Sequence, residues 1–170
     1  MPGARSCCVQ RASILVVDDD DNARHGLGLS LRSCGYRVSF AASAEAALDL
    51  LRLEPVDVVI SDHRMPGMSG LEFLKLVHDR HPDTIRIMLT GHADMEMAIK
   101  AINHGEIYRF LTKPCDRVEL QVTLHLACER LQLERENRHL LALIRTTPEL
   151  ASRVEELESE RSRAKRAGNP

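Results

Sequence analysis

The most informative stretch of the sequence is Val56-Asp57-Val58-Val59-Ile60-Ser61-Asp62-His63-Arg64-Met65-Pro66-Gly67-Met68-Ser69-Gly70. Its first part is a short apolar run rich in β-branched residues, which predicts a buried strand over residues 56–61. Asp62 follows directly, and the Pro and Gly residues after it indicate a loop. In open α/β sheets, ligands bind at the carboxyl ends of the strands. Asp62 therefore lies where a site is expected, although a lone Asp in this position more often only caps a turn.

The rest of the chain repeats this order of strand and helix. Predicted strands cover residues 13–17, 37–41, 56–61, 85–89 and 108–111. Predicted helices cover residues 22–34, 44–53, 71–79 and 93–104, and a last helix starts near Asp116. Such alternation predicts an α/β fold in which right-handed crossovers build one parallel sheet covered on both faces.

Composition excludes several classes of protein. The chain has 170 residues, a net charge of −2, 44% apolar residues and 28% charged residues. This is the balance of a globular domain without a global basic field, so direct nucleic-acid binding is not expected; the basic run at 161–166 is better explained as a solvated helix end. No apolar run approaches the roughly 18 residues needed to cross a bilayer. Residues 1–12 are predicted to be a flexible leader without a secretory signal, and the cysteines and histidines lack metal-ligand spacing.

Polar side chains stand at four of the predicted strand ends. They are the pair Asp18 and Asp19, then Asp62, Thr90 and Lys113. Each alone has an ordinary explanation as a loop or turn residue, but parallel strands bring all their carboxyl ends to one edge. Carboxylates crowded there repel one another unless a cation lies among them, and oxygen ligands favour Mg²⁺. An Asp in such a site can attack phosphorus, with a Lys and a hydroxyl stabilising the phosphoryl oxygens.

Four motifs occur in order along the chain: Ile14-Leu15-Val16-Val17-Asp18-Asp19, Ser61-Asp62-x-x-Met65-Pro66-x-x-x-Gly70, Leu89-Thr90-Gly91 and Thr112-Lys113-Pro114. They resemble the acidic pair, the phosphoacceptor motif, the switch threonine and the Lys-Pro of a receiver domain from two-component response regulators. The resemblance covers residues 13–128. It implies a flavodoxin-like (βα)5 sheet with strand order 2-1-3-4-5, and a bacterial, cytoplasmic protein.

The resemblance also implies how the acidic residues work. Asp62 is expected to accept a phosphoryl group from a histidine kinase or a phosphotransfer protein. Asp19 and Asp62 are expected to bind Mg²⁺ directly, Asp18 through water, and Arg64 through its backbone carbonyl. The only chemistry implied is self-catalysed phosphotransfer and dephosphorylation, so the chain is not predicted to be an enzyme in the ordinary sense.

The same resemblance implies a conformational switch. Lys113 is expected to face the phosphoryl group, and the Lys113–Pro114 bond is expected to be cis. Thr90 is expected to turn toward the phosphoryl group while Phe110, where many receivers have Tyr, moves into the vacated space. This movement would reshape the face formed by the fourth helix, the fifth strand and the fifth helix.

The last predicted helix continues beyond the receiver, and residues 129–170 are predicted to be a helical tail. Leu126, Leu133 and Leu140 repeat as heptad d positions, with Asn137 at an a position. This pattern favours a parallel two-stranded coiled coil and hence a homodimer. Thr147-Pro148 is predicted to break the helix. The alternative is that the tail folds back or packs on an output domain.

Other functions remain open at this point. Residues 105–114 resemble receivers that precede cyclic-di-GMP phosphodiesterase or enhancer-binding ATPase domains, so the chain is alternatively a fragment of a longer regulator. A Mg²⁺-dependent phosphohydrolase with an Asp nucleophile is a second alternative, but such enzymes commonly carry another Asp at the position of Arg64. A dimerisation module that has lost phosphorylation is a third, and the complete set of acids, Thr and Lys argues against it.

Overall fold

Five strands alternate with five helices in the computed structural model, which describes residues 12–146. The strands are β1 (Ser13–Val17), β2 (Arg37–Ala41), β3 (Val58–Asp62), β4 (Ile85–Thr90) and β5 (Arg109–Thr112). The helices are α1 (Asp21–Ser33), α2 (Ala44–Leu53), α3 (Gly70–Arg80), α4 (Met95–Asn103) and α5 (Arg117–Thr146), with a short 3-10 turn at His92–Asp94 before α4.

All neighbouring strands are parallel and follow the order β2-β1-β3-β4-β5, which confirms the predicted flavodoxin-like sheet. The register pairs Val17 with Ser61, Asp62 with Leu89, and Thr90 with Thr112. Because every member of these pairs is the last or second-to-last residue of its strand, the carboxyl ends of β1, β3, β4 and β5 meet along one edge.

Two apolar cores lie on the two faces of the sheet, because side chains alternate along each strand. On one face, residues such as Leu15, Val59 and Met88 pack with buried residues of α2, α3 and α4. On the other face, Val16, Ile60 and Ile87 belong to the core that includes buried residues of α1 and α5. Every residue of β3 is buried, as expected for the central strand of a covered parallel sheet.

Strand β3 is shifted relative to the predicted span of 56–61, and this shift matters for the site. It begins at Val58 and includes Asp62. The Asp62 backbone pairs in register with Leu89, and the following His63 N–H donates to the Leu89 carbonyl at 2.9 Å. Asp62 is therefore held by the sheet itself rather than by the loop that follows it.

The described chain separates into two compact units at Leu131. In the first unit, α5 buries Leu120, Leu124, Ala127 and Leu131 in the core. In the second unit, Leu133 and Leu140 are 64% and 56% exposed. A coiled coil is not shown, and the predicted limits of 13–128 and 129–170 stay predictions.

Two sequence predictions, the leader and the helix break at Thr147-Pro148, lie outside the described residues, apart from Ala12. Among the residues that are described, no helix has the length and apolarity required to span a membrane.

Candidate functional site

Asp62, Asp18 and Lys113 form the centre of a polar cluster at the carboxyl edge of the sheet. The Lys113 Nζ lies 2.7 Å from Asp62 Oδ1 and 2.8 Å from Asp18 Oδ2. Both carboxylates are largely buried, whereas the Lys113 side chain is 35% exposed. Burial alone would lower the pKa of Lys113, but the hydrogen bonds and charges of Asp18 and Asp62 outweigh it and raise that pKa. The cluster thus holds a permanent positive charge between two acids.

Asp19 completes an acidic group with Asp18 and Asp62. One ligand oxygen from each of these three residues lies within 4.8 Å of the others, and Asp19 is exposed at the mouth of the group. Such a set of carboxylate oxygens suits a hard divalent cation, which tolerates several anionic oxygen ligands and retains water. The structure therefore brings together the three carboxylates that the sequence predicted as metal ligands.

The two remaining acids of the Asp18–Asp21 run have separate structural tasks. Asp20 is the N-cap of α1, and its Oδ1 accepts hydrogen bonds from the Asn22 and Ala23 backbone N–H groups at 2.8 and 3.3 Å. Asp21 forms an ion pair with Arg24 at 2.6 Å. An N-cap satisfies backbone donors that the first helical turn leaves free, so the acidic run both begins α1 and supplies the site.

Gly70 ends the loop between β3 and α3 and holds it close to the backbone of Asp62. Its N–H donates to the His63 carbonyl at 2.9 Å, and α3 begins here behind a Ser69–Glu72 capping box. A Cβ on Gly70 would lie 1.8 Å from the backbone oxygen of Asp62, far inside contact distance. Only glycine permits this approach. The sequence had indicated a loop residue and the last position of the phosphoacceptor motif, without this contact.

Thr90 and Lys113 are joined through the backbone. The Lys113 N–H donates to the Thr90 carbonyl at 2.8 Å, and the Lys113–Pro114 bond is cis, as the resemblance implied. Thr90 is fully buried, and its hydroxyl donates to the Gly91 carbonyl at 3.2 Å. Phe110 lies in β5, two residues before Thr112, which pairs with Thr90. Its side chain is partly buried against the core that contains Ala98 of α4. Thr90 thus ends β4 beside Lys113, and Phe110 packs on the core that α4 helps to form.

An ion pair at the rim of the site was not predicted from the sequence. The Arg64 backbone N–H donates to Asp62 Oδ2 at 3.2 Å, while its guanidinium binds Asp94 through two hydrogen bonds of 2.9 and 3.0 Å. These hydrogen bonds, followed by the charge of Asp94, raise the pKa of Arg64; the Asp94 pKa is correspondingly lowered. Residues 30 positions apart give no local sequence signal of such a contact.

Comparisons with known proteins agree with this architecture. A family model described as "Response regulator receiver domain" matches residues 14–125. The hydrogenase transcriptional regulatory protein HoxA of Cupriavidus necator is 37% identical over 145 residues, which cover 85% of this chain and 30% of the relative. The C4-dicarboxylate transport transcriptional regulatory protein DctD of Rhizobium meliloti is 39% identical, over 75% of this chain and 28% of the relative.

Solved structures are also similar to this chain. The signal receiver domain of an HD domain-containing protein from Pseudomonas fluorescens is 42% identical with a TM-score of 0.70, covering 75% of this chain and 93% of that one. NtrX from Brucella abortus is 31% identical with a TM-score of 0.72, covering 76% of this chain and 30% of that one. The chain spans less than a third of the length of the curated relatives it matches. By its matched residues, its strand order and these relatives, the chain belongs to the response regulator receiver family.

Proposed function

We propose that the chain is a phosphorylation-dependent switch in which Asp62 accepts a phosphoryl group from a histidine kinase or a phosphotransfer protein in the bacterial cytoplasm. The observation that carries the proposal is the position of Asp62, with an ammonium 2.7 Å from one oxygen and two further carboxylates beside it. A nucleophilic carboxylate needs positive charge where phosphoryl charge develops, and this cluster supplies it.

The proposed transfer uses few groups. An Asp62 carboxylate oxygen attacks the phosphorus atom and forms an O–P bond, while the P–N bond to the donor histidine breaks and its electron pair stays on the imidazole. Lys113 then faces the phosphoryl oxygens instead of the free carboxylate. The Thr90 hydroxyl exchanges its Gly91 carbonyl partner for a phosphoryl oxygen. Attack by water on phosphorus later breaks the O–P bond and returns the carboxylate and inorganic phosphate.

Asp18, Asp19, Asp62 and the Arg64 carbonyl are the groups proposed to hold Mg²⁺, and the three side-chain ligands already lie within 4.8 Å of one another. When bound, the ion neutralises charge on the phosphoryl oxygens. Asp18 also accepts a hydrogen bond from the Asp20 N–H at 2.9 Å. Its second oxygen accepts from Lys113 at 2.8 Å, so both oxygens of Asp18 are positioned before any ligand binds.

The phosphohydrolase alternative is less well supported. It requires a second acid near the nucleophile as a proton donor and acceptor. At the corresponding position Arg64 presents a guanidinium, a group that does not lose its proton in proteins, and both of its hydrogen bonds go to Asp94. We therefore propose signalling by self-catalysed transfer and hydrolysis rather than turnover of external phosphoesters.

The output is proposed from the surface that the switch residues reach. Exposed apolar side chains on α4 include Met97 and Ile99, at 43% and 46%. Movement of Thr90 and Phe110 would reshape this helix and the neighbouring β5 and α5, and so alter a contact surface. Because several relatives are named transcriptional regulators, we propose a receiver of the enhancer-binding type that controls an output domain or a partner.

Dimerisation through the tail helix is proposed from its exposed leucines. Leu126, Leu133 and Leu140 are 39%, 64% and 56% exposed, at heptad spacing, and Asn137 is also exposed. The heptad stripe covers only about three heptads, and an isolated helix of that size is only marginally stable in water. Pairing with the tail helix of a second copy would bury the leucines and stabilise it. Sedimentation equilibrium at micromolar concentration should show a dimer for residues 1–170 and mostly monomer for a chain cut after Glu129. A monomeric full chain, with and without beryllium fluoride, contradicts this proposal.

The test of the proposed function is phosphorylation with a small donor. The protein is treated with acetyl phosphate and Mg²⁺ and its intact mass is measured. One phosphoryl adduct is expected, and it should not form when EDTA removes the metal. An adduct that persists in Asp62→Ala contradicts the assignment of the acceptor.

A further inference from the structure

We propose that the Arg64 side chain is a reserve ligand for the phosphoryl group, held away from Asp62 in the resting state by Asp94. The proposal rests on the proposed function, because it requires a phosphoryl group on Asp62. It concerns the guanidinium of Arg64, which is distinct from the backbone carbonyl expected to bind the metal.

Arg64 lies directly beside the proposed acceptor. Its backbone N–H already donates to Asp62 Oδ2 at 3.2 Å, so the residue is anchored next to the acceptor. Its side chain is 70% exposed, and within residues 12–146 its guanidinium forms hydrogen bonds with Asp94. A long, exposed side chain can change partners with little repacking of the core.

Phosphorylation would change the charge balance around Arg64. In the resting site Lys113 lies between Asp18 and Asp62. A phosphoryl group on Asp62 adds between one and two negative charges and three acceptor oxygens beside Arg64. A guanidinium fits a phosphate with two parallel hydrogen bonds as well as it fits a carboxylate. The phosphoryl group therefore competes with Asp94 for the same donors.

Asp94 lies at the N-terminus of α4 without capping it through its side chain. Asp94 is the N-cap of α4, a position where Asp ordinarily accepts hydrogen bonds from the first helical N–H groups. Its side chain makes no capping hydrogen bond at its present backbone angles (φ −108°, ψ 10°), and both of its oxygens accept from Arg64. Release of Arg64 therefore leaves an unpaired carboxylate at the N-terminus of α4, where negative charge interacts favourably with the helix dipole. The exchange links the acceptor to the helix whose surface the switch is proposed to change.

The test is a double-mutant cycle on the binding of beryllium fluoride, a phosphoryl mimic, measured by fluorine NMR at fixed Mg²⁺. Asp94→Asn keeps the shape and capping capacity of the side chain but weakens its hold on Arg64. It should bind the mimic roughly two- to fivefold more tightly than the unmodified protein, the range expected for exposed charged pairs. In an Arg64→Gln background the same substitution should have no effect.

Asp49→Asn is the matched control, because Asp49 also pairs with an arginine, Arg52 at 2.8 Å, on the exposed surface of α2. It removes one negative charge away from the site and should leave binding unchanged. Circular dichroism checks that each variant is folded.

Two results overturn the inference. Either Asp94→Asn binds no more tightly than the unmodified protein, or it tightens binding equally when Arg64 is Gln, which would mean simple loss of a repelling charge. If the unmodified protein does not bind the mimic, or Asp62→Asn binds it equally well, the proposed function fails and the inference fails with it.

Discussion

Asp57 and Asp62 flank the same apolar run, yet their carboxylates have different partners. Asp57 lies just before β3, and its Oδ2 accepts hydrogen bonds from the Ser13 backbone N–H and hydroxyl at 2.7 and 3.1 Å. Asp62 ends β3, and its oxygens accept from the Lys113 ammonium at 2.7 Å and the Arg64 N–H at 3.2 Å. One residue joins the start of two strands, and the other faces a cluster of charges.

In the proposed function, the partners of each acid, more than its burial, separate the structural role of Asp57 from the reactive role of Asp62. Ser13 is a neutral donor fixed by the pairing of β1 with its neighbours, so Asp57 is satisfied and has no reason to react. Lys113 is shared between two acids and lies on a side chain that is 35% exposed. Its hydrogen bonds are exchangeable, and an incoming phosphoryl group can replace the free carboxylate.

Among the substitutions considered, removal of Lys113 should have the largest effect, because it takes away the charged partner that distinguishes Asp62 from Asp57. Lys113→Ala takes away the cation that faces the proposed phosphoryl group, so beryllium fluoride should no longer change amide exchange in α4 and β5. Thr90→Ala should still become phosphorylated but should give a weaker response, because only a hydroxyl donor is lost. If both variants respond as the unmodified protein does, the proposed switch is wrong.

Gly70→Ala should damage the Asp62 end of β3 and leave the Asp57 end intact. The added Cβ would meet the Asp62 carbonyl oxygen at 1.8 Å, so the backbone must move. We expect a loss of about 3 kcal/mol in the free energy of unfolding, measured by urea denaturation. Gly26→Ala is a suitable control, because a Cβ there meets nothing within 4 Å. A Gly70→Ala protein as stable as the control contradicts the argument.

Asp57→Ala tests the contact between Asp57, just before β3, and Ser13 at the start of β1. It leaves the Ser13 N–H and hydroxyl without their carboxylate acceptor, which should lower the free energy of unfolding by about 2 kcal/mol. Phosphorylation by acetyl phosphate should persist under conditions where the variant is folded. Unchanged stability in urea would show that the Ser13–Asp57 hydrogen bonds do not support the sheet.

Asp62→Asn should have the smallest effect on stability, and of opposite sign. In the presence of EDTA it relieves repulsion among three carboxylates, while Lys113 keeps Asp18 as its partner. We expect a gain of about 1 kcal/mol, as is common when an active-site charge is removed. Excess Mg²⁺ should stabilise the unmodified protein more than the variant. The variant lacks one carboxylate ligand and should bind the ion more weakly, and a ligand adds more stability the more tightly it binds to the folded state. A variant less stable than the unmodified protein in EDTA contradicts this account of the site.

Much of the fold and site could be predicted from the sequence because the signals are local. Buried runs ended by Asp18, Asp62, Thr90 and Lys113 predicted which side chains meet, and parallel strands brought them together. Asp62 differs locally from Asp57 because it follows the apolar run and precedes a Pro- and Gly-containing loop, and the polar ends of other strands add to that signal.

Features that depend on tertiary contact were missed. The Arg64–Asp94 pair joins two loops 30 residues apart, and both side chains look like ordinary surface charges in the sequence. In helix α5, the sequence pattern did not separate the buried leucines from the exposed ones. Its buried face at Leu120, Leu124 and Leu131 and its exposed heptad leucines overlap in one apolar pattern, and only packing separates the two faces.

The most direct test of the central claim compares the two aspartates by intact mass after treatment with acetyl phosphate and Mg²⁺. The unmodified protein and Asp57→Asn should each gain one phosphoryl group, and Asp62→Asn should gain none. A phosphoryl group on folded Asp62→Asn, or its loss from folded Asp57→Asn, would contradict the assignment of Asp62 as the acceptor and Asp57 as a structural residue.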